Sequence, residues 1–187
     1  MIVAVVLAAG AASRYGAPKQ RLLLPTVLER LGRSPVGRIV VVEGAHPLAG
    51  VTPPHVEVVH CEEWARGRGA SLRCGLHALG EEVEGALVVL ADGPNLDPLA
   101  VERVLAHRHD ADVVAASWGG VRSHPVYLAR TVWLHVPEEG MQSVPALLVA
   151  CDDLEPPGDV DYAVGSNEVQ TPRVSDADGP TGKVRTS

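Results

Sequence analysis

Ile2-Val3-Ala4-Val5-Val6-Leu7-Ala8-Ala9-Gly10-Ala11-Ala12-Ser13-Arg14-Tyr15-Gly16-Ala17-Pro18-Lys19 is the stretch that decides the fold. Its first six residues are aliphatic without alternation, the pattern of a strand covered on both faces. The run then breaks into small residues, with Arg14 and Lys19 as two fixed cations. A strand that stops at such a loop places it at the carboxyl end of an open α/β sheet, where ligands bind. Small side chains let backbone N–H groups approach a ligand, and a run of them forms an anion nest. Arg forks onto phosphate oxygens, and Lys acts on them as a point charge. The segment therefore reads as a triphosphate cradle. It is not a Walker loop, because Gly16 is followed by Ala17 rather than by Lys and Ser or Thr. Nor is it a Rossmann fingerprint, and Gly67-Arg68-Gly69-Ala70-Ser71-Leu72 also lacks the required third Gly.

Further along, apolar runs predict strands at Arg38–Val42, Val56–His60, Ala86–Ala91, Asp112–Ala116 and Pro125–Leu128, with a last one at Asp159–Val164. Helices are predicted between them. Thr26–Leu31 reads as a short helix with Thr26 and Glu29 spaced as a capping box. Ser71–Leu79 carries Leu72, Leu76 and Leu79 at helical spacing. Asp97-Pro98 opens a helix running to about His107, with Asp as the cap and Pro at the first position. Ser143–Ala150 reads as another short helix. Strands alternating with helices predict an α/β fold, a sheet with helices on both faces. From Gly165 to Ser187 the chain is polar and without periodicity, which predicts a mobile tail after a domain spanning 1–165.

At 187 residues the chain has the length of one domain with a tail, taking roughly 150 residues per domain. Lys plus Arg number 16 and Asp plus Glu 23, for a net charge of −7. An acidic surface repels a phosphate backbone, which argues against nucleic acid as a partner and confines any anion site to a local arrangement. No apolar run approaches the roughly 20 residues of a membrane helix. Three cysteines at wide spacing, Cys61, Cys74 and Cys151, predict small apolar residues rather than a disulfide framework or zinc site. A reduced, cytoplasmic setting is the simplest expectation.

Leu7-Ala8-Ala9-Gly10 followed by Arg14, Gly16 and Lys19 resembles the signature of the MobA-like nucleotidyltransferases, and within them the molybdenum cofactor cytidylyltransferases. The resemblance implies a three-layer α/β/α nucleotidyltransferase domain, Rossmann-like and of the glycosyltransferase-A type, with a mostly parallel sheet. It implies transfer of a nucleotide from an NTP to a phosphorylated acceptor, with Mg2+ and release of pyrophosphate. Relatives that transfer guanylyl groups carry Gly where this chain has Ala9, so CTP is the expected nucleotide and molybdopterin the implied acceptor.

Other blocks extend the resemblance. Trp64–Leu76 is similar to the block that contacts base and ribose, which makes Gly69 and Ser71 nucleotide-binding candidates beside Leu7, Ala8, Ala9, Gly10, Arg14 and Lys19. A glycine loop opening a helix also puts free N–H groups and the Ser71 hydroxyl at one spot. Leu90-Ala91-Asp92-Gly93-Pro94 resembles an Asp-x-Pro block. Mg2+ is held by one or two carboxylates plus substrate phosphates, so Asp92 is the first metal ligand expected and Asp161, in Asp159-Val160-Asp161, the second. Arg14, Lys19 and Asp92 form the expected catalytic set. Ser123-His124-Pro125-Val126 is similar to a Gly-His-Pro-Val block on the acceptor side, although a lone His is more often structural. Glu138-Glu139-Gly140-Met141 departs from the Gly-Asp-x-Gly of relatives. Those departures motivate a rival reading, a nucleotide-binding regulator without catalysis. A sugar phosphate as acceptor is a further alternative. Redox chemistry, known for a nicotine-blue oxidoreductase of this family, finds no flavin or dinucleotide motif here.

Overall fold

The computed structural model describes residues 1–11, 19–48 and 50–158. The expected strand at Asp159–Val164, the tail from Gly165, and the candidates Arg14 and Asp161 lie outside them. Among the described residues seven strands form one sheet: β1 (Ile2–Leu7), β2 (Arg38–Glu43), β3 (Glu57–His60), β4 (Gly85–Leu90), β5 (Val113–Trp118), β6 (Val121–Ala129) and β7 (Leu147–Ala150). Their order is β3-β2-β1-β4-β6-β5-β7. Pairing is parallel except that β6 runs antiparallel to both β4 and β5. The helices are α1 (Lys19–Leu31), α2 (Arg68–His77) and α3 (Pro98–Ala106).

Successive side chains of β1 point to opposite faces, and both faces are covered. Ala4 and Val6 pack with Leu24, Val27, Leu28 and Leu31 of α1 and with Val101 and Val104 of α3. Val3 and Val5 pack with Leu72 and Leu76 of α2. Three layers result, with the sheet in the middle. Gly75 sets how closely α2 lies on the sheet: a Cβ there would meet Val5 Cγ1 and Val42 Cγ2, each at 2.7 Å. The chain leaves β1 towards β2 and β3, then crosses back to place β4 on the other side of β1. That reversal opens a crevice at the carboxyl ends of β1 and β4, the usual ligand position in such sheets. The two strands end level, with Leu7 opposite Leu90.

Three expectations need correction. The first helix starts at Lys19, not Thr26, and Thr26 lies inside it rather than capping it. Pro25 hid this, because an interior proline costs a helix about 3 kcal/mol. Gln20, Leu24, Val27, Leu28 and Leu31 nevertheless form one buried stripe, and its burial outweighs that cost. Second, Leu147–Ala150 is a strand, not the end of a helix; it pairs parallel with β5, and a short turn of 3-10 helix at Met141–Ser143 precedes it. A short apolar run carries no period that separates helix from strand, and here the open edge of β5 decides. Third, Cys61 and Cys74 are bonded as a disulfide, with Cα atoms 5.7 Å apart, and only Cys151 is a free thiol. Cys61 follows β3 and Cys74 lies in α2, so packing of that helix on the sheet joins residues whose spacing marks no motif. A reducing compartment would hold this pair as thiols. The Asp97 cap is as expected: its carboxylate accepts from the Leu99 N–H at 2.8 Å, and Pro98 opens α3. No described helix is long and apolar enough to cross a membrane.

Candidate active site

The crevice is built by extending the ladder past the strand ends. The Ala8 N–H donates to the Val42 carbonyl at 2.9 Å, and the Ala91 N–H to the Leu7 carbonyl at 3.1 Å. The residues after β1 and β4 therefore stay side by side, and each is followed at once by chemistry. Beyond Ala91, Asp92 stands partly exposed, and its Oδ2 lies 3.1 Å from Lys19 Nζ. Lys19 is the first residue of α1, and the pair is largely shielded, with side chains 12% and 22% exposed. Two residues 73 positions apart in the chain thus meet at the switch point of the sheet. Ala8 and Ala9 are buried, whereas Gly10 is exposed and its carbonyl accepts from Gln20 Nε2 at 3.1 Å. Gln20 is itself buried, and its Oε1 has no partner among the described residues.

The first turn of α2 faces the same opening. Leu7, Leu90, Arg68 and Leu72 line one cleft of about 680 Å3. Gly69 is fixed by packing: a Cβ there would sit 1.8 Å from the Pro137 carbonyl oxygen, and its N–H donates to the Glu138 carbonyl at 3.0 Å. The Ser71 hydroxyl turns back on the Gly67 carbonyl at 3.5 Å. Both residues line up with the helix entry, but their polar groups are engaged locally. The departing segment Glu138–Met141 is the partner that Gly69 packs against, and the Glu138 carboxylate also pairs with Arg66.

Arg122 and His124 of β6 also line the cleft. His124 is partly buried. That burial, with Arg68 and Arg122 nearby, holds its imidazole down to about 4, so it is neutral near pH 7. Sequence reasoning noticed His124 and passed over Arg68 and Arg122. The only signal for them is position: each adjoins a motif block, in a chain whose other charges are mostly acidic. Among the described residues no group of three or more His, Cys, Asp or Glu could hold a metal ion. A lone carboxylate at a phosphate site nonetheless suits Mg2+, which takes its remaining ligands from substrate oxygens and water.

Comparison with known proteins agrees with this architecture. No curated protein sequence matches the chain. The crystal structure of Rv0371c from Mycobacterium tuberculosis H37Rv is similar at 26% identity and a TM-score of 0.75, over 86% of this chain and 92% of that one. A structure of Rv0371c from the same organism in complex with manganese is similar at 20% identity and a TM-score of 0.65, over 80% of this chain and 87% of that one. A nucleotidyl transferase from Methanothermobacter thermautotroptrophicus shares the fold at 21% identity and a TM-score of 0.68, over 87% of this chain and 92% of that one. Residues 4–147 match the family model of the MobA-like NTP transferase domain, and they contain most of β1, the Lys19–Asp92 pair and the cleft residues contributed by α2 and β6, so the chain belongs to that family and is a nucleotidyltransferase.

Proposed function

We propose that this protein transfers a nucleotide, with CTP preferred, to a phosphorylated acceptor of the molybdopterin class, and that residues 1–165 carry the activity. One observation supports the reading above the others: Lys19 and Asp92 meet just past the ends of β1 and β4, whose last residues, Leu7 and Leu90, line a cleft of about 680 Å3. In the reaction a phosphate oxygen of the acceptor attacks the α-phosphorus of the nucleotide. The bond to the β-phosphate oxygen breaks, and its electron pair leaves with pyrophosphate. No covalent enzyme intermediate is needed, so catalysis reduces to positioning and charge neutralisation.

Without substrate, Lys19 and Asp92 neutralise one another. With substrate bound, Lys19 and Arg14 would neutralise the β- and γ-phosphates, and Asp92 and Asp161 are the residues that would hold Mg2+. The metal supplies Lewis-acid charge at the transferring group. A similar structure, that of Rv0371c, is a complex with manganese, which supports use of a divalent ion. Leu7, Ala8, Ala9 and Gly10 line the floor against which the nucleotide lies, with Gly69 and Ser71 shaping its base side. The scarcity of aromatics, 3% of the chain, fits a base held by backbone and small residues rather than by stacking. A thermal-shift screen of CTP, GTP, ATP and UTP with Mg2+ tests the assignment. A hundredfold excess over Kd stabilises the fold by about 2.7 kcal/mol. CTP giving the largest shift supports the reading, and four nucleotides without effect refute it.

A second reading keeps nucleotide binding and drops catalysis. The observation behind it is that Glu138–Gly140 is tied into packing against α2 rather than presenting the acidic group of relatives. CTP binding without pyrophosphate release would favour it.

A further inference from the structure

The β6 wall of the cleft holds a feature that the nucleotide does not explain. Arg122 is half-buried, and its Nη1 donates to the Val144 carbonyl at 2.5 Å. Its Nη2 is fully buried and meets no acceptor among the described residues. A buried donor left unsatisfied costs about 1–3 kcal/mol, more when it is charged. Arg68, the first residue of α2, lines the same cleft and is more exposed than Arg122. Both guanidinium groups act electrostatically on His124, which also lines it. Against these two cations the described lining supplies one carboxylate, Glu139, whose Oε1 accepts from the Ser143 hydroxyl at 3.2 Å. In a chain of net charge −7, two arginines lining one cavity with one carboxylate among the described residues favour an anion locally. Leu72, Leu96 and Met141 give the remainder of the cavity an apolar lining.

We infer that Arg68 and Arg122 form a phosphate subsite on the β6 side of the cleft, filled by the phosphate of the acceptor rather than by the triphosphate of the nucleotide. This rests on the nucleotidyl-transfer reading above and sharpens it. The acceptor is a molecule with a phosphomonoester end and an apolar or planar body. Guanidinium forks from two sides match a dianionic phosphate, and they would hold the attacking group while Lys19 and Asp92 manage the nucleotide. His124, neutral beside them, adds a hydrogen-bonding nitrogen without competing charge.

The test is calorimetric titration of the nucleotide-free protein with inorganic phosphate at fixed ionic strength. Wild type, Arg68→Gln, Arg122→Gln, Arg122→Lys and Lys19→Ala are compared, with Mg2+–CTP titrated in parallel. The expected result is saturable phosphate binding in wild type, weakened at least tenfold in Arg68→Gln and Arg122→Gln and kept in Lys19→Ala. Arg122→Lys should fall between. Arg68 is exposed, so its variant decides the matter if Arg122→Gln does not fold. Phosphate bound equally by all variants would mean an adventitious ion only and would overturn the proposal. So would loss confined to Lys19→Ala, which would assign the phosphate to the nucleotide cradle. Failure of Mg2+–CTP to bind, with phosphate binding as expected, would refute the nucleotidyl-transfer reading and leave an anion site of another purpose.

Discussion

Acidification should weaken this fold through one residue. Burial and the neighbouring Arg68 and Arg122 hold the His124 imidazole down to about 4. In the unfolded chain a histidine titrates near 6.5. The unfolded state therefore takes up the proton first, so stability is fully present above the unfolded value and falls as pH drops towards 4. Between pH 7 and pH 5 the loss works out at about 2 kcal/mol, and at about 3 kcal/mol once both states are protonated. Carboxylates titrate in part of the same range, so a control is needed. His124→Gln keeps a polar side chain of similar length and removes the titration. Urea unfolding of both proteins at pH 7 and pH 5 gives a difference of differences in which the carboxylates cancel. Wild type should lose about 2 kcal/mol more than His124→Gln over that interval. Equal losses would refute the placement of His124 between two arginines in a cleft wall. Saturating inorganic phosphate should shrink the difference, because an anion beside the imidazole raises its pKa again.

Other expectations concern single contacts. Pro25 is exposed inside α1, so Pro25→Ala should restore a helix bond and stabilise the protein by about 2 kcal/mol in urea unfolding, a sign opposite to that of most substitutions. Gly69→Ala drives a Cβ into the Pro137 carbonyl, so it should cost about 1–3 kcal/mol of stability and weaken Mg2+–CTP binding as the loop shifts. Reducing the Cys61–Cys74 bond, which closes a loop with a sequence separation of 13, should lower stability by about 3 kcal/mol, and mass spectrometry of the urea-unfolded protein alkylated without reductant should find one modified cysteine, Cys151.

How much of this was legible before the fold is plain at particular residues. β1 and β4 could be read because both are unbroken aliphatic runs, as strands covered on two faces must be. The Asp97-Pro98 cap was readable because it is local chemistry within one turn. α1 carried its stripe openly, but a proline rule with a known cost spoke louder than the period. β7 is four residues of apolar run, and only the free edge of β5 turns it into a strand. The disulfide depends on how α2 lies across the sheet, which no spacing in the chain records. Lys19 and Asp92 were each assigned by motif to one crevice at the strand ends, but their ion pair could not be seen in the sequence. Arg68 and Arg122 carry no mark at all: a charged residue beside a motif looks the same whether it faces solvent or a cavity. Gly69 was read from its place in the motif, and the fold adds a packing role that no motif records, since a Cβ there would meet the Pro137 carbonyl.

The central claim is that the carboxyl ends of β1 and β4 form a nucleotidyl-transfer site operated by Lys19 and Asp92. The most direct test measures pyrophosphate released from CTP with Mg2+ and molybdopterin, in wild type, Lys19→Ala and Asp92→Asn, each checked for an intact fold by circular dichroism. Wild type should release pyrophosphate steadily, and both variants should lose at least a hundredfold, as expected when charge stabilisation is removed from a reacting phosphate. Release undiminished in Asp92→Asn and Lys19→Ala would contradict the claim.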